Sequence, residues 1–246
     1  MLGIPDRIRA CLFDLDGVLT KTATVHAAAW RATFDDYLRQ RSERTGEPFA
    51  PFTRADYDVY VDGKPRADGT RSFLASRGIT LPEGSAADPP GTETVQGISN
   101  AKNAEVLRRI ESGGVAAYQG SVRYLHAVRA AGLSCAVVSA SANCRPVLAA
   151  AGLDGLADVV IDGVVATEQQ LAGKPAPDTY LAAAKAFRQP PGQCAVYEDA
   201  LAGVAAGRAG DFGWVVGVDR VGQADALRSH GADVVVTDLA ELLGDA

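Results

Sequence analysis

Short apolar runs recur along the chain, separated by alanine-rich stretches of helical pattern. The runs cover residues 10–13, 135–139, 158–161, 194–197, 214–218 and 233–236. Most are β-branched and apolar throughout rather than alternating, as in parallel strands covered on both faces. Between them, residues 122–131, 145–151, 178–187 and 200–209 read as helices. This alternation predicts an α/β fold with a doubly wound parallel-sheet core of Rossmann-like type.

Residues 21–114 break the pattern. They are rich in charge and aromatics and poor in buried-strand runs. Residues 22–40 and 103–110 read as amphipathic helices. A polar segment covers 41–52, and the Pro-, Gly-, Ser- and Thr-rich stretch 82–97 reads as loop. The expected organisation is a core of residues 1–20 and 115–246 with an inserted, mostly helical domain of residues 21–114. Residues 21–23 and Gly113-Gly114 are its expected hinges.

Composition narrows the function classes. The 246 residues suffice for one large domain or two small ones, and 47% hydrophobic residues provide a core. A net charge of -6 gives no general basic surface, which argues against nucleic acid as a partner. An anionic substrate would have to be held by local cations and a metal. The four cysteines, Cys11, Cys135, Cys144 and Cys194, include no close pair. They read as reduced core thiols of a cytoplasmic protein, not as a disulfide framework or zinc site. No secretory signal and no membrane span are expected. The sequence sets no oligomeric state and is compatible with a monomer.

Open parallel sheets bind ligands beyond the carboxyl ends of their strands. Reading the predicted ends in order gives Asp14 and Asp16, then Ser139, Lys174, and Glu198 with Asp199. Asp14 and Asp16 lie two residues apart and point the same way along an extended backbone. Their mutual repulsion is relieved by a proton or a divalent cation. The pair suits chemistry on an anion such as phosphate, though a strand followed by an acidic turn would look the same. Ser139, followed by free backbone amides at a helix start, would form a phosphate cradle; Ser and Asn also serve simply as helix caps. Lys174, in Gly173-Lys174-Pro175-Ala176-Pro177, is held by stiff backbone and suited to neutralising phosphate, or is a solvated loop lysine. Glu198 and Asp199 with Asp14 would offer the hard oxygen ligands Mg²⁺ prefers, or complement a helix dipole.

Taken together, Asp14-Leu15-Asp16-Gly17-Val18, Ser139, Lys174-Pro175 and Glu198-Asp199 resemble the motifs of the haloacid dehalogenase superfamily of Asp-nucleophile phosphotransferases. The resemblance implies that Asp14 forms an aspartyl-phosphate and that Asp16 is the general acid/base. It also implies Mg²⁺ held by Asp14, the Asp16 carbonyl and Asp199, supported by Glu198. Dehalogenases and phosphonate hydrolases of the superfamily generally lack the second aspartate, so Asp16 argues against both.

Further motifs are similar to the β-phosphoglucomutase-like subfamily. These are residues 22–30 with His26 and Trp30, the run Ser139-Ala140-Ser141-Ala142-Asn143, Lys174-Pro175-Ala176-Pro177-Asp178, Gly63-Lys64-Pro65-Arg66, and Lys102-Asn103. The implied roles follow from that resemblance. Gly63 and Arg66 would belong to a substrate loop, with Arg66 clamping the distal phosphate of a sugar. His26 would couple closure of the inserted domain to Asp16, and Trp30 would support the pocket. Lys102, Ser139, Ala140, Ser141 and Asn143 would contact the sugar phosphate. As single residues these also read as surface charges or core packing. The chain departs from the subfamily pattern at Asp62, where lysine is usual and Lys64 would compensate, at Gly69 in place of serine, and at Lys21. The expected activity is Mg²⁺-dependent interconversion of β-glucose 1-phosphate and glucose 6-phosphate through a bound bisphosphate. A phosphatase with the same centre, or a non-catalytic metabolite-binding protein on the same fold, are the competing readings.

Overall fold

Six strands form one sheet in a computed structural model that describes residues 2–244. They are β1 (Ala10–Phe13), β2 (Ser134–Val138), β3 (Val159–Ile161), β4 (Cys194–Glu198), β5 (Trp214–Val218) and β6 (Val234–Val236). The spatial order is β3-β2-β1-β4-β5-β6, and every neighbouring pair is parallel. The chain moves outward from β1 through β2 and β3, then returns to the other side of β1 with β4. The reversal between β1 and β4 is where a doubly wound sheet opens a crevice at its carboxyl edge.

The helices are α1 (Ala23–Thr45), α2 (Arg54–Asp56), α3 (Arg66–Ser76), α4 (Val95–Gly113), α5 (Gln119–Ala130), α6 (Cys144–Ala150), α7 (Gly163–Glu168), α8 (Asp178–Ala186), α9 (Leu201–Ala209) and α10 (Ala224–Ser229). The chain divides into two compact units, Met1–Lys21 with Val115–Ala246, and Thr22–Gly114.

In the first unit the strands are apolar on both faces because both faces are covered. Ala10, Leu12, Ala136, Val138, Val196 and Val215 share a cluster with Tyr180, Ala183 and Ala184 of α8 and Val204 and Ala206 of α9. The alternate residues face α5. Phe13 stacks on Tyr197 at 4.4 Å and meets Tyr124 of α5 edge-on at 6.3 Å. The Tyr124 and Tyr197 hydroxyls share a 2.9 Å hydrogen bond. Full burial of one such large apolar side chain contributes roughly 1.5–3 kcal/mol. All four cysteines are buried and reduced. Burial pushes the thiols of Cys11 and Cys135 up to about 12 and that of Cys194 up to about 11.

The second unit packs around an aromatic cluster. Trp30 and Phe34, four residues apart on α1, stack at 4.9 Å, and Phe34 meets Phe73 of α3 at 4.2 Å and Phe52 at 5.1 Å. Helix α1 runs beyond the expected residue 40 to Thr45 and stops where Gly46 adopts φ +73° and donates to Ser42 O. Helix α4 starts at Val95, well before the expected 103. Thr94 caps it by accepting from Gly97 N at 2.9 Å, and a Cβ on Gly97 would lie 2.4 Å from Thr92 O. The Thr and Gly residues that suggested loop up to residue 97 thus build the helix's first turn. Gly69 replaces the expected serine where a Cβ would press on Trp30 and Val61 at 3.3 Å. Among the described residues, no helix is long and apolar enough to cross a membrane.

Candidate active site

Strand β1 delivers Asp14 to the crevice. Its amide donates to Tyr197 O at 3.0 Å, continuing the β1–β4 ladder by one residue. The chain then turns: Gly17 N donates to Thr20 O at 2.8 Å, with Gly17 at φ +92°. A Cβ on Gly17 would lie 1.8 Å from Asp199 Oδ2, so only glycine lets this turn approach Asp199. Carboxylate oxygens of Asp14, Glu198 and Asp199 lie within 4.8 Å of one another, and all three residues are buried.

Lys174 stands at the centre of this group. Its Nζ lies 2.6 Å from Asp14 Oδ1 and 2.6 Å from Glu198 Oε1, and it donates to Val138 O at 3.2 Å. Lys174, expected at a strand end, stands instead in the loop between α7 and α8, and its long side chain makes the reach. The Tyr180 hydroxyl donates to Glu198 Oε1 at 2.8 Å, and Ala200 N donates to Glu198 Oε2 at 3.2 Å. Both Glu198 oxygens are therefore engaged, which makes it chiefly a support for Lys174.

The electrostatics follow from burial. Desolvation, the largest influence on Asp14, drives its carboxyl well above the ordinary carboxylate range; Glu198 and Asp16 add to this and Lys174 opposes it. Burial works to lower the Lys174 ammonium, but Asp14 and Glu198 outweigh it and hold the group well above its usual value. Asp14, Glu198 and Asp199 gather their carboxylate oxygens at one point, and a small divalent cation would favour their charged forms there. The donor set is hard oxygen throughout and fits Mg²⁺.

Asp16 is half-buried, and its Oδ2 lies 3.5 Å from Ser139 Oγ. Ser139 follows β2 and is itself buried. The expected row of free amides after it is partly used up within the loop. Ser139 N donates to Ile161 O, Ser141 N to Ser139 Oγ and Asn143 N to Ser141 Oγ. These turns instead fix the hydroxyls of Ser139 and Ser141. Ala140, Ser141 and Asn143 are half-buried in the same loop.

In the second unit, Lys102 of α4 meets His26 and Trp30 of α1. Its Nζ lies 2.7 Å from His26 Nδ1 and 5.0 Å over the Trp30 ring. Gly63 takes φ +70° in the turn before α3, whose first residue is Arg66. The Arg66 guanidinium is half-buried, its pKa lowered by that burial, and no carboxylate pairs with it among the described residues. Lys64, the residue expected to compensate for Asp62, places its Nζ 3.3 Å from Val59 O and 3.2 Å from Ser72 Oγ.

The sequence does not single out Tyr180, nor Arg220 and Gln223, whose side chains donate to Gly17 O and Asp199 O. Tyr180 is a polar aromatic on the apolar face of an alanine-rich helix, which looks like core packing. Arg220 stands just past the end of β5, the kind of position from which the other candidates were read, and its charge was the available signal.

A family model described as a haloacid dehalogenase-like hydrolase matches residues 8–211. A beta-phosphoglucomutase of Mycobacterium tuberculosis is 58% identical over 247 residues, covering 99% of this chain and 94% of that protein. A beta-phosphoglucomutase of Clostridium difficile has a similar structure, with a TM-score of 0.73 at 24% identity over 96% of this chain and 93% of that one. A hydrolase of Pseudomonas syringae gives a TM-score of 0.76 at 22% identity, covering 95% of each chain. At these identities the two structures speak to the fold.

Proposed function

Because the chain belongs to the haloacid dehalogenase-like hydrolase family, within its β-phosphoglucomutase-like group, we propose that it is a Mg²⁺-dependent phosphomutase interconverting β-D-glucose 1-phosphate and D-glucose 6-phosphate. The observation that carries this reading is the buried contact of Lys174 with both Asp14 and Glu198, beside Asp199. It supports a nucleophilic carboxylate poised next to a cation that balances phosphoryl charge. The 58% identity to a mycobacterial beta-phosphoglucomutase supports the choice of substrate.

In this reading Asp14 carries a phosphoryl group. The free hydroxyl of the sugar phosphate attacks phosphorus, the Asp14–phosphorus bond breaks, and the bound bisphosphate turns end for end. Asp14 then attacks the other phosphate and regains a phosphoryl group. Asp16 removes the proton of the attacking hydroxyl and returns it to the leaving oxygen. Ser139 donates to a phosphoryl oxygen, and Lys174 balances the charge spread over the equatorial oxygens. Asp14, the Asp16 carbonyl and Asp199 would hold Mg²⁺, with Glu198 in support, and the ion would neutralise phosphoryl charge.

Substrate recognition is assigned to the second unit. Arg66, a half-buried cation without a carboxylate among the described residues, suits the distal phosphate. Lys102 with His26, Gly63 and Trp30 complete that set. Within the first unit, Ala140, Ser141 and Asn143 are the candidates for contact with the sugar phosphate.

The test is a product assay by ³¹P NMR with β-glucose 1-phosphate, Mg²⁺ and a trace of glucose 1,6-bisphosphate. Glucose 6-phosphate is the expected product. Inorganic phosphate in its place would identify a phosphatase and overturn the reading.

A further inference from the structure

We infer that the loop after β5 is a positioning strap: Arg220 and Gln223 hold the Gly17 turn and the Asp199 turn in register for metal binding and phosphoryl transfer. The inference rests on the phosphotransfer reading above.

The loop is wound around one carboxylate. Asp219 Oδ1 accepts from the amides of Val221, Gly222 and Gln223 at 3.1, 2.7 and 2.9 Å. From this frame the two side chains leave toward different segments. Arg220 Nε donates to Gly17 O at 2.7 Å and Nη2 to Val18 O at 3.3 Å. Its Nη1 donates to Thr237 O at 2.6 Å, and the guanidinium lies 3.6 Å over the Tyr118 ring. Gln223 Nε2 donates to Asp199 O at 2.9 Å.

The strap thus grips the backbone of the two turns that meet in the crevice. Gly17 directly follows Asp16, and its missing Cβ is the space Asp199 occupies. A shift of either turn would move an Asp199 oxygen relative to Asp14. Arg220 suits the task because its charge is spent on carbonyls. Its Nη1 lies 3.9 Å from Asp238 Oδ2. A guanidinium fork stacked on an aromatic ring is pre-organised, and its charge-assisted bonds fix peptide planes. Both side chains reach the two turns through backbone carbonyls, which makes them positioning residues. Groups that orient metal ligands from behind commonly govern affinity and rate.

Two variants test this. Arg220→Met keeps an unbranched stem over Tyr118 and removes the donors; Gln223→Met removes the amide at similar length. Each is compared with wild type by melting in EDTA, by calorimetric titration with Mg²⁺ alone, and by kcat and KM. The Mg²⁺ dissociation constant is expected to rise about tenfold in both, with a similar fall in kcat. KM for the sugar phosphate is expected to hold, and Gln223→Met to melt like wild type in EDTA. Arg220→Lys, which restores a charged donor, is expected to recover part of the loss. If Arg220→Met does not fold, Gln223→Met decides alone. Wild-type Mg²⁺ affinity in the folded variants would overturn the inference, whatever their melting temperatures, and so would a wild type that binds no Mg²⁺. A wild type that binds Mg²⁺ but forms no glucose 6-phosphate would remove the mutase reading and leave the strap to be judged on the titration.

Discussion

Lys174 Nζ lies 2.6 Å from Asp14 Oδ1, joining residues 160 positions apart in the sequence. Both groups are buried, so the ammonium and the carboxylate have given up water for each other. The same ammonium also contacts Glu198, so it bridges two carboxylates of the acidic cluster.

Replacing that cation should therefore cost stability as well as turnover. In Lys174→Met two carboxylates remain buried without their partner. Urea denaturation in EDTA is expected to show a loss of about 3–5 kcal/mol. Turnover should fall by about 10²–10³, the usual cost of removing a preorganised group that balances transition-state charge. Unchanged stability would mean that the carboxylates are neutral without Lys174.

Tyr180 is expected to matter through Glu198. Its hydroxyl donates 2.8 Å to the same Oε1 that Lys174 contacts. Tyr180→Phe leaves the ring packing and removes that donor. A loss of about 1.5–3 kcal/mol is expected, the range for a hydrogen bond to a charged group. Wild-type denaturation would show that Glu198 needs only Lys174 and the Ala200 amide.

Gly17→Ala tests the close approach of the two turns. The added methyl would fall 1.8 Å from Asp199 Oδ2, and the φ of +92° is strained for alanine. The variant is expected to lose Mg²⁺ binding and turnover while keeping a native circular dichroism spectrum, because the core strands are untouched. Wild-type Mg²⁺ affinity would contradict the geometry.

The thiols give a prediction of the opposite kind. Thiolate is the reactive form, and burial pushes Cys11 and Cys135 up to about 12 and Cys194 up to about 11, with Cys144 also raised. At pH 8 the folded protein should resist a thiol reagent such as DTNB, and all four cysteines should react in denaturant. Rapid reaction of the folded protein would indicate local opening near the sheet.

Much of the core was legible because its strands are covered on both faces and carry uninterrupted apolar runs. Asp14, Ser139 and Glu198-Asp199 could be read from the ends of those runs. Lys174 was legible as a residue and not as a position, since no local pattern encodes the reach of a loop lysine across the sheet. The start of α4 was hidden because Thr94 and Gly97 are capping and close-packing residues that resemble loop composition. Helix α3 was missed because it is short and opens with Arg66, Asp68 and Gly69, a polar turn with little apolar period. Tyr180 and Arg220 act through contacts made only on folding.

The most direct test of the account concerns Asp14 itself. Wild-type protein and Asp14→Asn would be exposed to glucose 1,6-bisphosphate with Mg²⁺, quenched in acid, digested and mapped by mass spectrometry. The account predicts one phosphoryl group on the peptide containing Asp14 in the wild type and none in the variant. A phosphoryl group on another residue, or turnover that survives in Asp14→Asn, would contradict it.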